Sequence, residues 1–288
     1  MAEAALTERQ FRERQYYDEF VRRTSPDVAS PAAIRGDERR PWNPYWYVAE
    51  LLQQRFTCST QQLLDFGCGP GSYSVQCAHI GYEVSGFDIS PGNVETARAL
   101  ASRYGVGDRT HFAVGAAEQL DYPSSYFDVI VGIDILHHVD IRPAIQECRR
   151  VLKPGGVAIF KEPIEVPVFD RLRNTALGRA LRPKAASFDR HITEDERKLT
   201  ASDVRAIREL CEVDEHRFRL VSRLEALVSA SGHAFLTKTG ASRLEMFDRY
   251  LLRACRPLGV FGGNVVLVCR PPATGAGRHR APCSSSPS

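Results

Sequence analysis

Apolar and polar positions change their rhythm at Leu63. From there, short apolar runs alternate with stretches of helical spacing. LLDFG (63–67) reads as a strand, followed by a helix over 72–80. YEVSGFD (82–88) is a second strand. The next helix opens at Ser90 with Pro91 at its first position, where a missing N–H costs nothing. HFAVG (111–115), FDVIVGIDIL (127–136) and VAIF (157–160) are further strands, with a helix over 143–152 before the last. Strands alternating with helices over this length predict a doubly wound, mostly parallel α/β sheet. Upstream, Glu8 to Val21 has helical character, and Trp42, Tyr45, Trp46 and Tyr47 form an aromatic island broken by Pro41 and Pro44. Downstream of Pro163 the pattern breaks. A helix opened by Thr200 or Ser202, a strand near Arg217 to Val221, a helix over 241–255 and a last strand over 264–269 are expected.

These changes divide the chain into an N-terminal helical cap (1–62), a core (63–163), an Arg- and Pro-rich lid or insertion (164–200), a closing half (201–270) and a disordered tail (271–288). No run approaches the roughly 20 apolar residues that span a bilayer. Glu3 and Glu8, with no apolar stretch behind them, do not read as a secretory signal. The eight cysteines are scattered without a C-x-x-C pair, which disfavours zinc and reads as reduced thiols of a cytoplasmic protein. The net charge of +3 is too small to announce a nucleic-acid binder, yet it is unevenly spread. Residues 63–162 carry 12 acidic and 8 basic side chains, and residues 163–288 carry 14 acidic and 21 basic. Such a surplus could draw an anionic ligand to a basic mouth.

The sharpest chemistry lies in LLDFGCGPGSYS (63–74). Gly67, Gly69 and Gly71 follow a strand and precede a helix, which permits a tight turn and close approach of a ligand to backbone. The second strand ends in Asp88, placed to bind ribose hydroxyls. Together they point to a nucleoside-containing cofactor. The spacing G-x-G-x-G, with Ser72 where the last glycine of a dinucleotide fingerprint would fall, argues against NAD, as does the absence of any Tyr-x-x-x-Lys pair. Asp65 beside this loop suits a cofactor with a cationic amino-acid end.

LLDFGCGPGSYS is similar to the first motif of class I S-adenosylmethionine-dependent methyltransferases. GFDIS (86–90), GAAEQLDYPSSYFDVIVGIDILHHV (115–139) and RRVLKPGGVAIFKEP (149–163) resemble the motifs that follow it, in order and with family spacing. The resemblance implies a Rossmann-like, doubly wound seven-stranded sheet, mostly parallel with one antiparallel strand near the C-terminus. It implies S-adenosyl-L-methionine as cofactor and S-adenosyl-L-homocysteine as product. It assigns Phe66, Gly67, Cys68 and Gly69 to the methionine part, and Asp65 to the loop and the amino group. Asp88 takes the ribose and Ile89 the adenine face. Ala117 and Glu118 take the adenine edge, Ile133 covers the methionine, and Tyr17 or its neighbour Tyr16 closes over the carboxylate. One departure is Ala116, where many relatives have an acid. Lys161-Glu162-Pro163 stands where catechol-type relatives carry an Asp-Asn pair, so no metal is expected.

The acid–base candidates are His138 and His137, just past the fourth strand, because imidazole suits proton removal near neutral pH. Asp134 and Glu162 are alternatives, and His191 in the insertion is a weaker one. Asn43-Pro44-Tyr45 faintly resembles the N-P-P-Y motif of nucleic-acid amino-methyltransferases; a hydrophobic lid is the simpler reading of that cluster. Two Arg-bearing stretches around Leu172 and Phe247 read as core-facing helices, or as a lid toward a membrane surface or carrier. The expected function is O-methylation, ahead of C- or N-methylation, of a small or medium-sized, apolar or anionic metabolite. The alternatives are a non-catalytic cofactor-binding or regulatory protein and a nucleic-acid methyltransferase. The last is disfavoured because no recognition module is visible.

Overall fold

A computed structural model describes residues 6–23, 43–173, 197–222 and 238–272 of the chain. Seven strands form one sheet: β1 (Gln62–Phe66), β2 (Glu83–Asp88), β3 (Thr110–Val114), β4 (Phe127–Ile133), β5 (Leu152–Pro163), β6 (Glu212–Phe218) and β7 (Asn264–Arg270). Their order is β3-β2-β1-β4-β5-β7-β6. β1 to β5 pair in parallel, and β7 runs antiparallel to both neighbours. This is the expected fold.

Helices cover both faces. α1 (Glu8–Arg23) and α2 (Pro44–Arg55) precede the sheet, followed by α3 (Ser72–Ile80), α4 (Pro91–Arg103), α5 (Ile141–Val151), α6 (Pro167–Arg173), α7 (Ala201–Leu210) and α8 (Lys238–Ala254). The local signals work as read. Ser90 caps α4, with its side chain accepting from Asn93 N–H, and Pro91 follows it. Thr200 and Asp203 form a capping box on α7. β4 is buried along nearly its whole length because helices lie on both sides of it. One buried layer joins Phe66, Phe87, Ile130 and Phe160 to α5 and α7, and the other joins Leu63, Val129 and Ile159 to α2, α3 and α4.

Three expectations need correction. The strand foreseen near Arg217 to Val221 lies earlier, at Glu212–Phe218. It is an edge strand and only Phe218 is buried, so its polar sequence hid it. α5 starts at Ile141, with Asp140 in the N-cap position, two residues before Pro143. Cys68, Cys77, Cys148, Cys211, Cys255 and Cys269 are free thiols, but Cys58 is disulfide-bonded.

The foreseen insertion leaves and rejoins the core at one parallel bridge, Ile164 to Leu199, both buried. Its middle lies outside the described residues, together with His191, Trp42 and most of the tail. Among the described residues no helix is long and apolar enough to cross a membrane.

Candidate active site

In a doubly wound sheet, ligands bind beyond the carboxyl ends of the strands where the strand order reverses. Here that point lies between β1 and β4. A cavity of about 840 Å³ opens there, lined by Gly67 and Gly69 after β1, Asp88 and Ile89 after β2, and Ile133 and Asp134 at the end of β4. α1 crosses it and contributes Gln10, Glu13, Tyr16, Tyr17 and Phe20.

The β1 turn is shaped for close approach of a ligand. Gly67 has φ +74°, and a Cβ there would meet Ile135 at 2.5 Å. Gly69 has φ +51°, and a Cβ there would meet no protein atom within 4 Å, leaving a cradle over bare backbone. Asp88 locks that turn. Its carboxylate accepts from Gly69 N–H at 2.9 Å, Ser90 N–H at 2.9 Å and Asn93 Nδ2 at 3.1 Å. Burial raises the Asp88 pKa, and the donors from Ser90, Asn93 and Gly69 partly oppose the rise.

Ile89, Ala117, Glu118, Ile133 and Tyr17 also line the cavity. Phe66 does not: it is fully buried against Phe87 and Phe160 beneath the turn. Cys68 is buried and its N–H donates to Phe87 O at 2.8 Å. Asp65 is buried one layer below the cavity, accepting from Ser74 Oγ at 2.5 Å. Desolvation lifts its pKa to about 7. Phe66, Cys68 and Asp65 thus shape the turn from beneath and are not part of the lining.

α1 is tied down at three places. Gln10 Nε2 donates to Glu118 Oε2 at 2.8 Å, and Glu118 Oε1 accepts from Asp140 N–H at 3.0 Å. Asp18 Oδ1 accepts from Ser90 Oγ at 2.5 Å and Gly92 N–H at 3.3 Å, so it caps α4 from outside. Between them, Tyr17 Oη lies 3.2 Å from His138 Nε2, and Glu13 Oε2 lies 3.3 Å from His138 Nδ1.

The two histidines separate. His138 lines the cavity. His137 faces away, buried, with Nδ1 at 2.6 Å from Glu162 Oε2. The other Glu162 oxygen accepts from Ile135 N–H at 2.9 Å and Leu136 N–H at 2.7 Å. Glu162 therefore pins the turn after β4, and neither it nor His137 is placed to take a proton from a ligand in the cavity. That corrects the expectation for both.

The side chains that sequence reasoning passed over sit beside Asp134. Lys161 Nζ lies 2.6 and 2.8 Å from the two Asp134 oxygens and 3.0 Å from Tyr45 Oη. Tyr45 Oη donates to Asp134 Oδ2 at 2.8 Å. Lys161 is almost sealed from solvent, whereas the Asp134 side chain is 33% exposed. Burial disfavours the Lys161 charge, but Asp134 and Tyr45 outweigh it and raise its pKa. Burial and Asp134 raise the Tyr45 pKa. Lys161 has a place in the sequence only in the comparison with metal-binding relatives, and Tyr45 only in the aromatic cluster and the Asn43-Pro44-Tyr45 stretch. Neither carries a local signal for the other.

The wall is acidic. Among the described residues, Glu13, Glu19, Asp88, Glu118 and Asp134 line it, with Arg23 the one arginine or lysine. Among the described residues none beyond Val139 reaches the cavity; much of the basic surplus of residues 163–288 falls outside the described residues. Among the described residues no group of three His, Cys, Asp or Glu could hold a metal ion.

A family profile described as "Methyltransferase domain" matches residues 64–160. The chain is similar to 27-O-demethylrifamycin SV methyltransferase of Amycolatopsis mediterranei (strain S699), 37% identical over 108 residues, 37% of this chain and 40% of that one. It is similar to ubiquinone biosynthesis O-methyltransferase of Cereibacter sphaeroides (strain KD131 / KCTC 12085), 36% identical over 99 residues, 34% of this chain and 39% of that one. The match thus spans about two-fifths of the length of these curated relatives. Among solved structures, geranyl diphosphate C-methyltransferase from Streptomyces coelicolor A3(2) shares the fold. Its TM-score is 0.56 at 16% identity, over 93% of this chain and 99% of that one.

Proposed function

We propose that this chain, whose residues 64–160 belong to the class I S-adenosylmethionine-dependent methyltransferase family, transfers a methyl group from S-adenosyl-L-methionine to an oxygen of a small molecule. The observation that carries the reading is the bare turn at Gly69 joined to the Asp88 carboxylate in one cavity at the β1–β4 reversal. A nucleoside with a ribose diol fits Asp88, whose oxygens are already oriented by three donors. Ile89 packs on the base, and Ala117 and Glu118 meet its edge. Gly67 and Gly69 pass beneath the amino-acid end, and Ile133 and Tyr17 flank it. The acidic wall suits a cationic donor better than the pyrophosphate of a dinucleotide.

When bound, S-adenosyl-L-methionine supplies a methyl group already activated on a sulfonium. The protein's task is to align, enclose and dry the reacting pair; holding partners in a near-attack pose is worth about 7–11 kcal/mol. α1 closes the cavity through Gln10, Tyr17 and Asp18. His138 and Asp134 are the two groups of the β4 end that line the cavity and can receive a proton.

The oxygen acceptor draws support from the O-methyltransferase activities named for the rifamycin and ubiquinone relatives. A neutral or cationic acceptor suits the acidic wall better than an anionic one. A cytoplasmic setting draws support from the six free thiols, with Cys58 as the exception.

Calorimetric titration with S-adenosyl-L-homocysteine and with NAD tests the reading. Micromolar binding of the first and none of the second is expected. Binding of NAD alone overturns it.

A further inference from the structure

At the cavity's β4 end, a nearly sealed lysine, a carboxylate and a phenol from three distant stretches of chain meet in one network. A lysine sealed away for stability alone is poor design, because the desolvation of its charge offsets much of the attraction to its partner. Asp134 also adopts φ +54°, an uncommon conformation for a residue with a Cβ. Strain of this kind collects at functional sites. The asymmetry of exposure is the third observation. Lys161 is closed off behind, while the Asp134 carboxylate keeps an open side on the cavity.

His138 is placed differently. Both of its ring nitrogens face α1, Nε2 toward Tyr17 and Nδ1 toward Glu13. Nε2 is 3.2 Å from Tyr17 Oη, so a ligand must compete with α1 for this nitrogen. His138 reads as the latch of α1.

We propose that the Asp134 carboxylate, fixed by Lys161 and Tyr45, binds the hydroxyl of the acceptor and receives its proton during methyl transfer. The assignment rests on the O-methyl reading above. The acceptor oxygen forms its bond to the methyl carbon as the carbon–sulfur bond breaks, and the sulfur keeps that electron pair. The acceptor proton passes to Asp134, which returns it to solvent through its exposed side. Lys161 and Tyr45 are positioning residues: they aim the carboxylate. A proton that becomes strongly acidic as the oxygen is alkylated needs only a weak, well-placed base.

The test uses the full chain and three probe acceptors: catechol, hydroquinone and 3,4-dihydroxybenzoate. Wild type, D134N, Y45F, H138Q and the double variant K161M/D134N are compared. Four quantities are read: melting temperature, S-adenosyl-L-homocysteine affinity, catechol affinity for the homocysteine-loaded protein, and S-adenosyl-L-homocysteine formation.

Wild type methylates at least one probe. D134N binds S-adenosyl-L-homocysteine within about two-fold of wild type, binds catechol several-fold more weakly and turns over about 10²-fold more slowly. Y45F shows the same pattern in smaller measure. H138Q weakens S-adenosyl-L-homocysteine through α1. D134N strands a buried ammonium and lowers the melting temperature. K161M/D134N restores that temperature but not turnover or catechol binding.

A purely structural pair predicts that the double variant recovers all three, and that result overturns the proposal. So does D134N turning over within about three-fold of wild type, or a loss of turnover confined to H138Q. If the wild-type protein binds S-adenosyl-L-homocysteine and methylates no probe, the O-methyl reading falls and this assignment with it. If it binds no S-adenosyl-L-homocysteine, the methyltransferase reading itself falls.

Discussion

Asp88 and Asp134 stand at the ends of two strands on the same rim of the same cavity, and the chain holds them in opposite ways. Asp88 is held by neutral donors from its own neighbourhood: Ser90 two residues away, Asn93 five away and Gly69 nineteen away. Its charge is solvated by oriented N–H groups, so the carboxylate can meet neutral hydroxyls without a counter-ion. Asp134 is held by a full positive charge, Lys161, 27 residues on, and by Tyr45, 89 residues back. Asp88 is fixed by donors from its own stretch of chain, and Asp134 by side chains brought to it from two other elements. In the proposed reading these two aspartates serve the cofactor end and the acceptor end.

The largest expected effect breaks the cofactor side of this pairing. D88N removes the charge and turns an amide N–H₂ toward donors that need an acceptor. Charged hydrogen bonds are worth about 1.5–3 kcal/mol each. Calorimetry is therefore expected to show S-adenosyl-L-homocysteine bound roughly 10²-fold more weakly, against the near-unchanged affinity expected for D134N. Equal losses in the two variants would erase the distinction between the two ends.

A second, intermediate effect concerns the acid beneath the turn. Asp65 has its pKa raised by burial to about 7. An acid that holds its proton more tightly when folded makes the native state bind more protons than the unfolded chain over the interval between the two pKa values. Its contribution to stability therefore falls as pH rises from about 4 to about 7, and is level above that. Melting temperature against pH should show this decline in wild type. D65N, which stays neutral and still accepts from Ser74, should flatten it. A wild-type curve that rises through the same window, or one that D65N leaves unaltered, removes Asp65 as its source.

The smallest effect sharpens the comparison from the lid side. Asp18 reaches from α1 to the first turn of α4, beside the loop that carries Asp88. D18A removes that cap at a cost of about 0.5–2 kcal/mol. Amide hydrogen exchange is expected to quicken in α1 while β1 and β4 keep their protection. Unchanged exchange in α1 would mean that Gln10 and Tyr17 hold the helix without it.

Residues that could be read from the chain share one property: their partners are near in sequence. The β1 turn, the Asp88 strand end, the Ser90 cap with Pro91, and the alternation of strands and helices are all set by spacings that a short window contains. Even there, sequence could not say that Phe66, Cys68 and Asp65 lie under the turn and not in its lining. Period and spacing give the face of a strand but not the depth of a loop. β6 was misplaced because an edge strand buries little and leaves a weak hydrophobic signature. The two adjacent histidines looked equivalent. The backbone turn that sends His137 to Glu162 and His138 to α1 is fixed by a carboxylate 25 residues downstream.

The sequence by itself determined the class of fold and the glycine turn after β1, because these follow from local periodicity and from the steric freedom of particular residues. Tertiary structure alone decided that α1 crosses the cavity, that five acidic side chains meet on its described wall, and that Tyr45, Lys161 and Asp134 meet. Those juxtapositions depend on loop closure and on the burial of charge. A buried ammonium donates to whichever carboxylate and hydroxyl the fold brings within about 3 Å, and no spacing along the chain encodes that distance.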